Sequence, residues 1–429
     1  MTVNVLVIGA ALLFLLMGQP IAFVLANASV VAFLIVNPEF LQMIPQRLFG
    51  GISFFPLLAI PFFVLAGELM TKGNITDALI KLAYSIVGRI RGGLAHTVTL
   101  CCMFFGGITG SAPAETSAIG SVMIPAMVKQ GYSLDFSTAI TAAASTMGPI
   151  IPPSIIFVMY SAMTNVSIGG MFAAGIIPGV LIGVGIMCYT FVISDKRGFP
   201  KRETRETFSE IMSNFKSAIF PLGMPLIVVG GIFGGVFTAT EAAAVSVAYA
   251  LFVGLFILRT LRLSDLPSIL MKAGITTSIV LFVVGASGIL GWVITVQQVP
   301  KVITELLMRI STNPYVFLLI VNILLLVWGM FMDAGVGVIL LAPILTPVAV
   351  AYGINPIHFG IVMCLNLTIG HGTPPFGVCL FVASAITGLT IERISKAIFP
   401  FLLVEVLILL IVTYFPFLSL WIPKLMGYF

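Results

Sequence analysis

The stretch from Gly148 to Pro153 reads GPIIPP, and the stretch from Gly370 to Pro375 reads GHGTPP, 222 residues further along the chain. Both stretches lie inside long apolar runs. A proline inside a helix removes a backbone donor, displaces the carbonyl one turn earlier and costs about 3 kcal/mol. Two such breaks at matched positions therefore predict two interrupted helices with a shared purpose.

The composition defines the class of protein. Of the 429 residues, 59% are hydrophobic and 8% are charged, and the mean hydropathy is +1.19. Such a chain cannot cover itself with a polar surface, and apolar runs of spanning length recur throughout. We predict an all-α polytopic membrane protein with room for about ten spans of about 20 residues each, and no stretch is left for a soluble domain.

The net charge of +5 is small, and its position is more informative than its size. The densest basic segment lies between residues 194 and 217 and contains Lys196, Arg197, Lys201, Arg202, Arg205 and Lys216. By the positive-inside rule this segment is cytoplasmic. Nucleic-acid binding is the alternative for a basic run, but it is disfavoured because four acidic residues interrupt the segment, namely Asp195, Glu203, Glu206 and Glu210.

The N-terminal apolar stretch has no basic residue before Arg47 and no small-residue cleavage site. It therefore predicts a span and not a signal peptide, with the N-terminus outside the cytoplasm. The five cysteines lie in apolar surroundings without C-x-x-C spacing, which indicates neither a disulfide nor a metal framework.

The two halves of the chain repeat. A shift of 222 residues, without a gap, superposes Gly107 on Gly329, Pro125 on Pro347, Gly131 on Gly353, Thr146 on Thr368, Gly148 on Gly370, Pro152 on Pro374, Pro153 on Pro375 and Pro178 on Pro400. Nearly all of these residues are Gly or Pro, which fix backbone shape. The repeated feature is therefore a pattern of bends.

The linker between the repeats predicts their orientation. With the N-terminus outside and residue 200 inside, each half crosses the membrane an odd number of times and the second half is inverted, as in secondary transporters with discontinuous helices. We predict a first repeat at 1–193, a cytoplasmic linker at 194–217 and a second repeat at 218–429, which places the C-terminus in the periplasm.

Each repeat is expected to contain a re-entrant hairpin followed by a broken helix. The hairpins are predicted at 93–129 and 314–352, with tips at FGGITGSAPAE and WGMFMDAGVG, and the broken helices at 134–163 and 357–386. The first hairpin is expected because four residues would interrupt a continuous helix at its tip, namely Gly106, Gly107, Gly110 and Pro113.

Backbone carbonyls freed at tips and breaks must face protein, water or a cation. If each hairpin tip is paired with one break, these carbonyls form two oxygen-lined pockets suited to a hard monovalent cation such as Na⁺. The N-termini of the half-helices offer N–H groups to an anion. Nearby hydroxyls come from Thr109, Ser111, Ser145, Thr146, Thr368 and Thr373. Of these, we assign Ser111, Ser145, Thr146 and Thr368 to substrate binding.

Asp333 places a carboxylate at the second tip, opposite Ser111 in the repeat. A buried carboxylate is costly and marks function, so we assign Asp333 to the second sodium pocket; a helix cap is the alternative. For the other ionisable residues, Glu115 is expected to cap the second hairpin arm, with a ligand role as the alternative. His371 is a candidate proton shuttle, and Glu68 and Glu241 are expected to be paired or interfacial.

Three stretches resemble one family. GGITGSAPAETSAIG at 106–120 is similar to the glycine- and serine-rich signature of the large membrane subunit of tripartite ATP-independent periplasmic (TRAP) transporters. FTATEAAAV at 237–245 and GHGTPPFG at 370–377 resemble the same family. The resemblance covers essentially the whole chain and is greatest to the subunit of sialic acid systems.

The resemblance implies a Na⁺-driven elevator, not an enzyme, that imports an organic anion with two or more sodium ions. It implies a bacterial inner-membrane location, a periplasmic binding protein that delivers the substrate, and a separate small membrane subunit of about four helices. The sodium ligands of the family fall on Gly106, Thr109, Gly148, Ile151 and Pro153 for the first site and on Gly329, Gly370, Thr373 and Phe376 for the second.

Other classes are weighed by their own requirements. A channel also uses carbonyl-lined re-entrant loops, but it needs an open pore, whereas inverted hairpins indicate alternating access. A membrane enzyme is disfavoured because the sequence has three scattered histidines and neither H-E-x-x-H nor G-x-S-x-G. Among transporters, two alternatives remain: a TRAP permease for C4-dicarboxylates or other organic acids, and a stand-alone dicarboxylate carrier that needs no binding protein.

The predicted topology can be tested with cysteine labels. A label near Arg202 is expected to react only from the cytoplasm and a label near Tyr428 only from the periplasm, because the basic linker stays inside and each half crosses an odd number of times. Accessibility to an impermeant maleimide in spheroplasts and in inverted vesicles measures this. Reaction of both labels from one side would contradict the inversion.

Overall fold

The computed structural model describes residues 2–73, 75–200 and 207–429, and the regular elements in these ranges are helices. The basic residues Lys201, Arg202 and Arg205 of the predicted linker lie outside the described residues. The first half contains α1 Thr2–Leu16, α2 Ile21–Val36, α3 Ile44–Ile52, α4 Ala59–Lys72, α5 Ile75–Val87, α6 Gly93–Thr109, α7 Ala112–Lys129, α8 Leu134–Ser145, α9 Ile155–Thr164 and α10 Ile168–Arg197.

The second half follows the linker. It contains α11 Phe208–Phe233, α12 Ala239–Phe252, α13 Leu266–Val296, α14 Val299–Ile310, α15 Pro314–Gly329, α16 Ala334–Ala351, α17 Pro356–Gly370, α18 Val378–Thr387, α19 Ile391–Tyr414 and α20 Phe417–Leu425. Side chains of the preceding residue cap several of these helices: Ser133 accepts from the Phe136 N–H, and Asn355 accepts from the Ile357 N–H.

In the described ranges, seven helices are long and apolar enough to cross a membrane, or eight if α14 and α15, which meet at 117°, count as one span. This is fewer than the roughly ten spans that composition allows. Much of the remaining apolar sequence lies in helices of 10–17 residues, among them α6, α9, α17 and α18. These short helices belong to the hairpins and interrupted helices, and a helix of this length cannot span the hydrocarbon layer alone.

The two proline stretches interrupt helices. Helix α8 ends at Ser145 and α9 begins at Ile155, while α17 ends at Gly370 and α18 begins at Val378. We call residues 146–154 the first break and residues 371–377 the second break. In each break the two consecutive prolines are joined by a cis peptide bond.

The helix of the first hairpin is interrupted at a later position than the sequence predicts. Helix α6 continues through Gly106 and Gly107 to Thr109, and only Gly110 and Ser111 leave the helix, so the expectation that the earlier glycines break it is wrong. Gly110 has φ +58, a left-handed conformation that favours glycine. Pro113 lies in the first turn of α7, where a helix does not need its N–H, and does not interrupt the hairpin.

The helix bounds follow the repeat of the sequence. Shifting α7 by 222 residues gives 334–351, which are the bounds of α16, and α10 similarly overlaps α19. The equivalent helices α10 and α19 run in opposite directions. Arg197, at the end of α10, lies over the ring of Phe136 at 5.6 Å, while Arg393, at the start of α19, donates to Asp135 at 2.9 Å. The end of one helix and the start of its equivalent therefore meet at the same end of α8.

The described part of the linker packs at this same end of the molecule. Arg91, in the loop between α5 and α6, pairs with Asp195 at 2.8 Å. The N–H of Gly92 donates to the carbonyl of Pro200 at 3.2 Å. The linker therefore lies beside a second set of basic residues, which is the charge distribution expected for one cytoplasmic face.

The contact between hairpin and break leaves no room for a side chain, which gives a test of the packing. A β-carbon at Gly370 would lie 2.4 Å from the carbonyl carbon of Gly329. We expect Gly370→Ala to destabilise the protein by about 1–3 kcal/mol through overpacking. Thermal unfolding in detergent measures this effect.

Gly230→Ala is the matched control, because a β-carbon at this position in α11 would have nothing within 4 Å. Alanine is also the better helix former, so this variant should be neutral or slightly stabilising. Equal melting temperatures for the two variants would contradict the close contact at Gly370.

Candidate functional site

The first tip and the first break are held together by glycines. A β-carbon at Gly106 would lie 3.0 Å from the Cα of Gly148, one at Gly107 would lie 3.1 Å from the carbonyl oxygen of Pro152, and one at Gly110 would lie 3.1 Å from that of Pro153. Side chains on α6 would therefore push the hairpin away. Glycine spacing brings the end of α6 against the bare backbone of the break.

Several carbonyls of the first break remain unpaired. Among the described residues no hydrogen-bond donor reaches the carbonyl oxygens of Gly148, Ile151 or Pro153, whereas the Gly106 carbonyl accepts from the Gly110 N–H at 3.1 Å. We call the predicted set of Gly106, Thr109, Gly148, Ile151 and Pro153 the first carbonyl pocket. Unpaired carbonyls away from bulk water are costly unless a cation or water satisfies them, so this pocket has the chemistry of a cation site.

The second tip, residues 330–333, meets the second break in a similar way. Gly329 and Gly370 are in backbone contact. The carbonyl of Gly370 accepts from the Thr373 N–H at 3.0 Å and that of Thr373 from the Gly377 N–H at 3.1 Å, so each retains one lone pair. The Phe376 ring packs against Phe331 with centroids 5.7 Å apart. We call the predicted set of Gly329, Gly370, Thr373 and Phe376 the second carbonyl pocket.

A cavity of ≈ 270 Å³ lies between the two tips. Its walls come from both repeats: Ser111 and its neighbours at the first tip, Asp333 at the second tip, and His371 of the second break. Glu68 and Thr276, on α4 and α13, line the remaining side. None of the lining residues is Lys or Arg, so an anion in this cavity would not meet a permanent cationic side chain.

The N-termini of α7 and α16 differ in the way they are capped. Asp333 caps α16, accepting from the Gly335 N–H at 2.9 Å. Ser111 occupies the same position before α7 but makes no side-chain cap, and among the described residues the N–H groups of Ala112 and Ala114 have no acceptor. The start of α7 therefore presents free donors to the cavity, which is favourable for an anion.

Asp333 is not buried as the sequence argument assumed: its side chain is 55% exposed, toward the cavity. The Nε2 atom of His371 lies 3.4 Å from its Oδ2 atom, but the same Nε2 accepts from the Ala334 N–H at 3.0 Å. The Ala334 N–H and the Asp333 carboxylate therefore both face the same ring nitrogen of His371.

Three residues assigned to the substrate do not line this cavity. Ser145, Thr146 and Thr368 are buried and donate to carbonyls of their own helices, those of Thr141, Ala143 and Leu365. Their role in substrate binding stays a prediction, and Ser111 is the member of that group that the structure places in the cavity.

Sequence reasoning did not predict the burial of Glu115, which it named as a cap or a ligand, and did not single out Glu405. Glu115 is fully buried and does not cap α7 as expected, because Ser111 holds the N-cap position. Glu405, on α19, is also fully buried and accepts from the Thr146 hydroxyl at 2.9 Å. Glu241, by contrast, is exposed and closes a capping box with Thr238. Helical periodicity did not separate these cases, since each glutamate lies in an apolar run.

The interrupted helices, paired tips and central cavity define a polytopic secondary-transporter class of membrane protein. A family model for the tripartite ATP-independent periplasmic transporter DctM component matches residues 8–418. The chain therefore belongs to the family of TRAP transporter large permeases, whose members are transporter components and not enzymes.

Relatives with different substrates are equally similar to this chain. It is 40% identical over 403 residues to the C4-dicarboxylate TRAP transporter large permease DctM of Pseudomonas aeruginosa, covering 94% of each chain. It is 39% identical over 415 residues to the sialic acid TRAP transporter large permease SiaM of Vibrio cholerae, covering 96% of each. An isethionate permease, DctMQ of Oleidesulfovibrio alaskensis, is 40% identical, and the match covers 94% of this chain and 64% of that protein.

The fold has a solved counterpart. The structure of the Alcanivorax borkumensis YdaH transporter superposes with a TM-score of 0.59 over 89% of each chain, at 14% identity. At this identity the likeness extends to the fold alone.

The difference between the two tips can be tested by a pair of variants. Asp333→Asn keeps a side-chain oxygen for the cap and removes the charge, so we expect the sodium concentration for half-maximal uptake to rise roughly two- to fivefold, the range for a solvated charge. Folding should be intact. Ser111→Ala should act more on the half-saturating substrate concentration than on sodium, because its hydroxyl can address an anion.

Uptake measured against sodium at fixed substrate, and against substrate at fixed sodium, separates the two effects. Unchanged sodium dependence in Asp333→Asn would make the carboxylate a helix cap only.

Proposed function

We propose that the protein is the large permease subunit of a Na⁺-driven secondary transporter that imports sialic acid (N-acetylneuraminate). A periplasmic binding protein delivers the substrate, and a small membrane subunit of about four helices completes the permease. The protein lies in the bacterial inner membrane with both termini in the periplasm. Two or more sodium ions move with each substrate molecule.

Sodium coupling is supported by the unpaired carbonyls of the first break. Gly148, Ile151 and Pro153 present oxygen atoms without donors, beside a helix end that approaches closely through glycines. Carbonyl oxygens at unwound segments are the ligands that secondary transporters offer to Na⁺. The second carbonyl pocket repeats the arrangement, which supports a stoichiometry of at least two.

An elevator mechanism is supported by which elements supply the residues that line the cavity. Both tips and the second break come from the hairpins and broken helices, while Glu68 and Thr276 come from α4 and α13, which belong to neither. In the proposed mechanism the tips and breaks move together past α4 and α13 and carry the cavity across the membrane. The N-terminus of α7 holds the substrate carboxylate during this movement.

Sialic acid is favoured over a C4-dicarboxylate by the charge of the cavity. The cavity contains the carboxylates of Asp333 and Glu68 and lacks Lys and Arg. A second substrate carboxylate would meet like charges without compensation. Sialic acid has one carboxylate and several hydroxyl donors, which suit the carboxylates of the wall and the single uncapped helix N-terminus.

The proposal is tested by uptake into proteoliposomes that contain the permease, its small subunit and candidate binding proteins. We expect accumulation of labelled sialic acid only with an inward sodium gradient and a binding protein, without effect of ATP, because sodium is the cation that we propose for the carbonyl pockets. Replacement of sodium by choline is the control.

Uptake driven by a proton gradient in sodium-free buffer would exclude sodium coupling. Uptake of succinate in preference to sialic acid would identify the protein as a dicarboxylate permease, and uptake without any binding protein would identify a stand-alone carrier.

A further inference from the structure

Glu115 lies against the first carbonyl pocket. It is in the first turn of α7, but its side chain turns back beneath the first tip, where Oε1 accepts from the Thr109 hydroxyl at 3.2 Å. A β-carbon at Gly148 would lie 1.9 Å from Oε1 and 2.6 Å from Oε2. The carboxylate is therefore in contact with the backbone of Gly148, whose carbonyl is one of the unpaired carbonyls of the first break.

The carboxylate is not satisfied by the protein. Its side chain is fully buried, and its Oε2 atom has no partner among the described residues. The described ion pairs join other residues and leave it without a basic neighbour. A buried carboxylate that lacks a cationic or donor partner is strongly unfavourable, so the arrangement requires a cation that the polypeptide does not supply.

We infer that Glu115 supplies the negative charge of the first cation site, where it neutralises a sodium ion held by the carbonyls of Gly148, Ile151 and Pro153. The inference rests on the proposed sodium coupling and adds a charged residue to a site otherwise built from carbonyls and one hydroxyl. Carboxylate and carbonyl oxygens together are the preferred ligands of hard cations. Glu115 contacts Gly148, whose carbonyl is one of the unpaired set, whereas Glu405 contacts the first break through the hydroxyl of Thr146.

The second repeat lacks this charge. The 222-residue shift places Gly337 opposite Glu115, and a β-carbon there would lie within 3.2 Å of Leu367 and Trp328, so the equivalent space is filled by apolar side chains. Asp333, at the second tip, is exposed to the cavity and is therefore screened. The two sodium sites differ in charge, and the first binds sodium more tightly and fills first.

The test uses the purified full chain in detergent and follows its melting temperature as sodium chloride replaces choline chloride at constant ionic strength. Sodium that binds the folded state raises the melting temperature. In Glu115→Gln, which keeps the acceptor for Thr109 and removes the charge, we expect the half-effective sodium concentration to rise roughly tenfold, as for loss of one charge-assisted interaction. Glu241→Gln, at an exposed cap, should match the wild type.

Glu115→Asp covers the case in which Glu115→Gln does not fold. It keeps the charge but shortens the side chain by one methylene, so the half-effective concentration should rise by less than in Glu115→Gln but measurably. A sodium titration unchanged from wild type in either folded variant overturns the inference and leaves sodium coupling standing. A wild type whose melting temperature does not respond to sodium overturns both the inference and the proposed sodium coupling.

Discussion

Unpaired backbone oxygen atoms in a nonpolar surrounding are the constraint on which this structure depends. A span of regular helix satisfies its own carbonyls, but the prolines at 149, 152 and 153 prevent that in α8 and α9. In the folded chain, the backbone of the first hairpin tip packs directly against the backbone of the first break. Gly106, Gly107 and Gly110 make the approach possible, because each would otherwise place a β-carbon about 3 Å from the break. In the proposed mechanism the oxygens that remain unpaired form the pocket for a cation.

The repeat reproduces the backbone but not the chemistry. Helices α7 and α16 have matching bounds, and both breaks contain paired prolines. The side chains at equivalent positions differ: Ser111 is opposite Asp333, and Glu115 is opposite Gly337. One half therefore offers an uncapped helix end and an internal charge, while the other offers a capped helix and an exposed carboxylate. The repeat supplies two pockets with a similar backbone, and the side chains at equivalent positions give them different chemistry.

Glycine and proline act locally through the backbone, so the positions where helices end near them can be predicted from sequence. Predicted segments 93–129 and 314–352 correspond to α6–α7 and α15–α16. Side-chain environments were predicted less well, since burial depends on which distant segment packs nearby. Asp333 was expected to be buried and is exposed, whereas Glu115 was expected to be a cap and is buried. Gly106 and Gly107 were expected to end a helix, but their actual role is to let that helix pack against the first break, which no local pattern reveals.

The absence of Lys and Arg from the cavity wall has an electrostatic consequence for the binding of both ions. A fixed cation beside the carbonyl pockets would repel sodium and would bind the substrate carboxylate whether or not sodium were present. Free N–H groups at the start of α7 attract an anion more weakly, and the sodium ions supply the remaining positive charge. In the proposed mechanism Glu115 neutralises one ion, and the second ion contributes the net charge that the anion meets. On this proposal substrate binding depends on sodium at the second site, so that anion affinity is coupled to the sodium gradient by electrostatics alone.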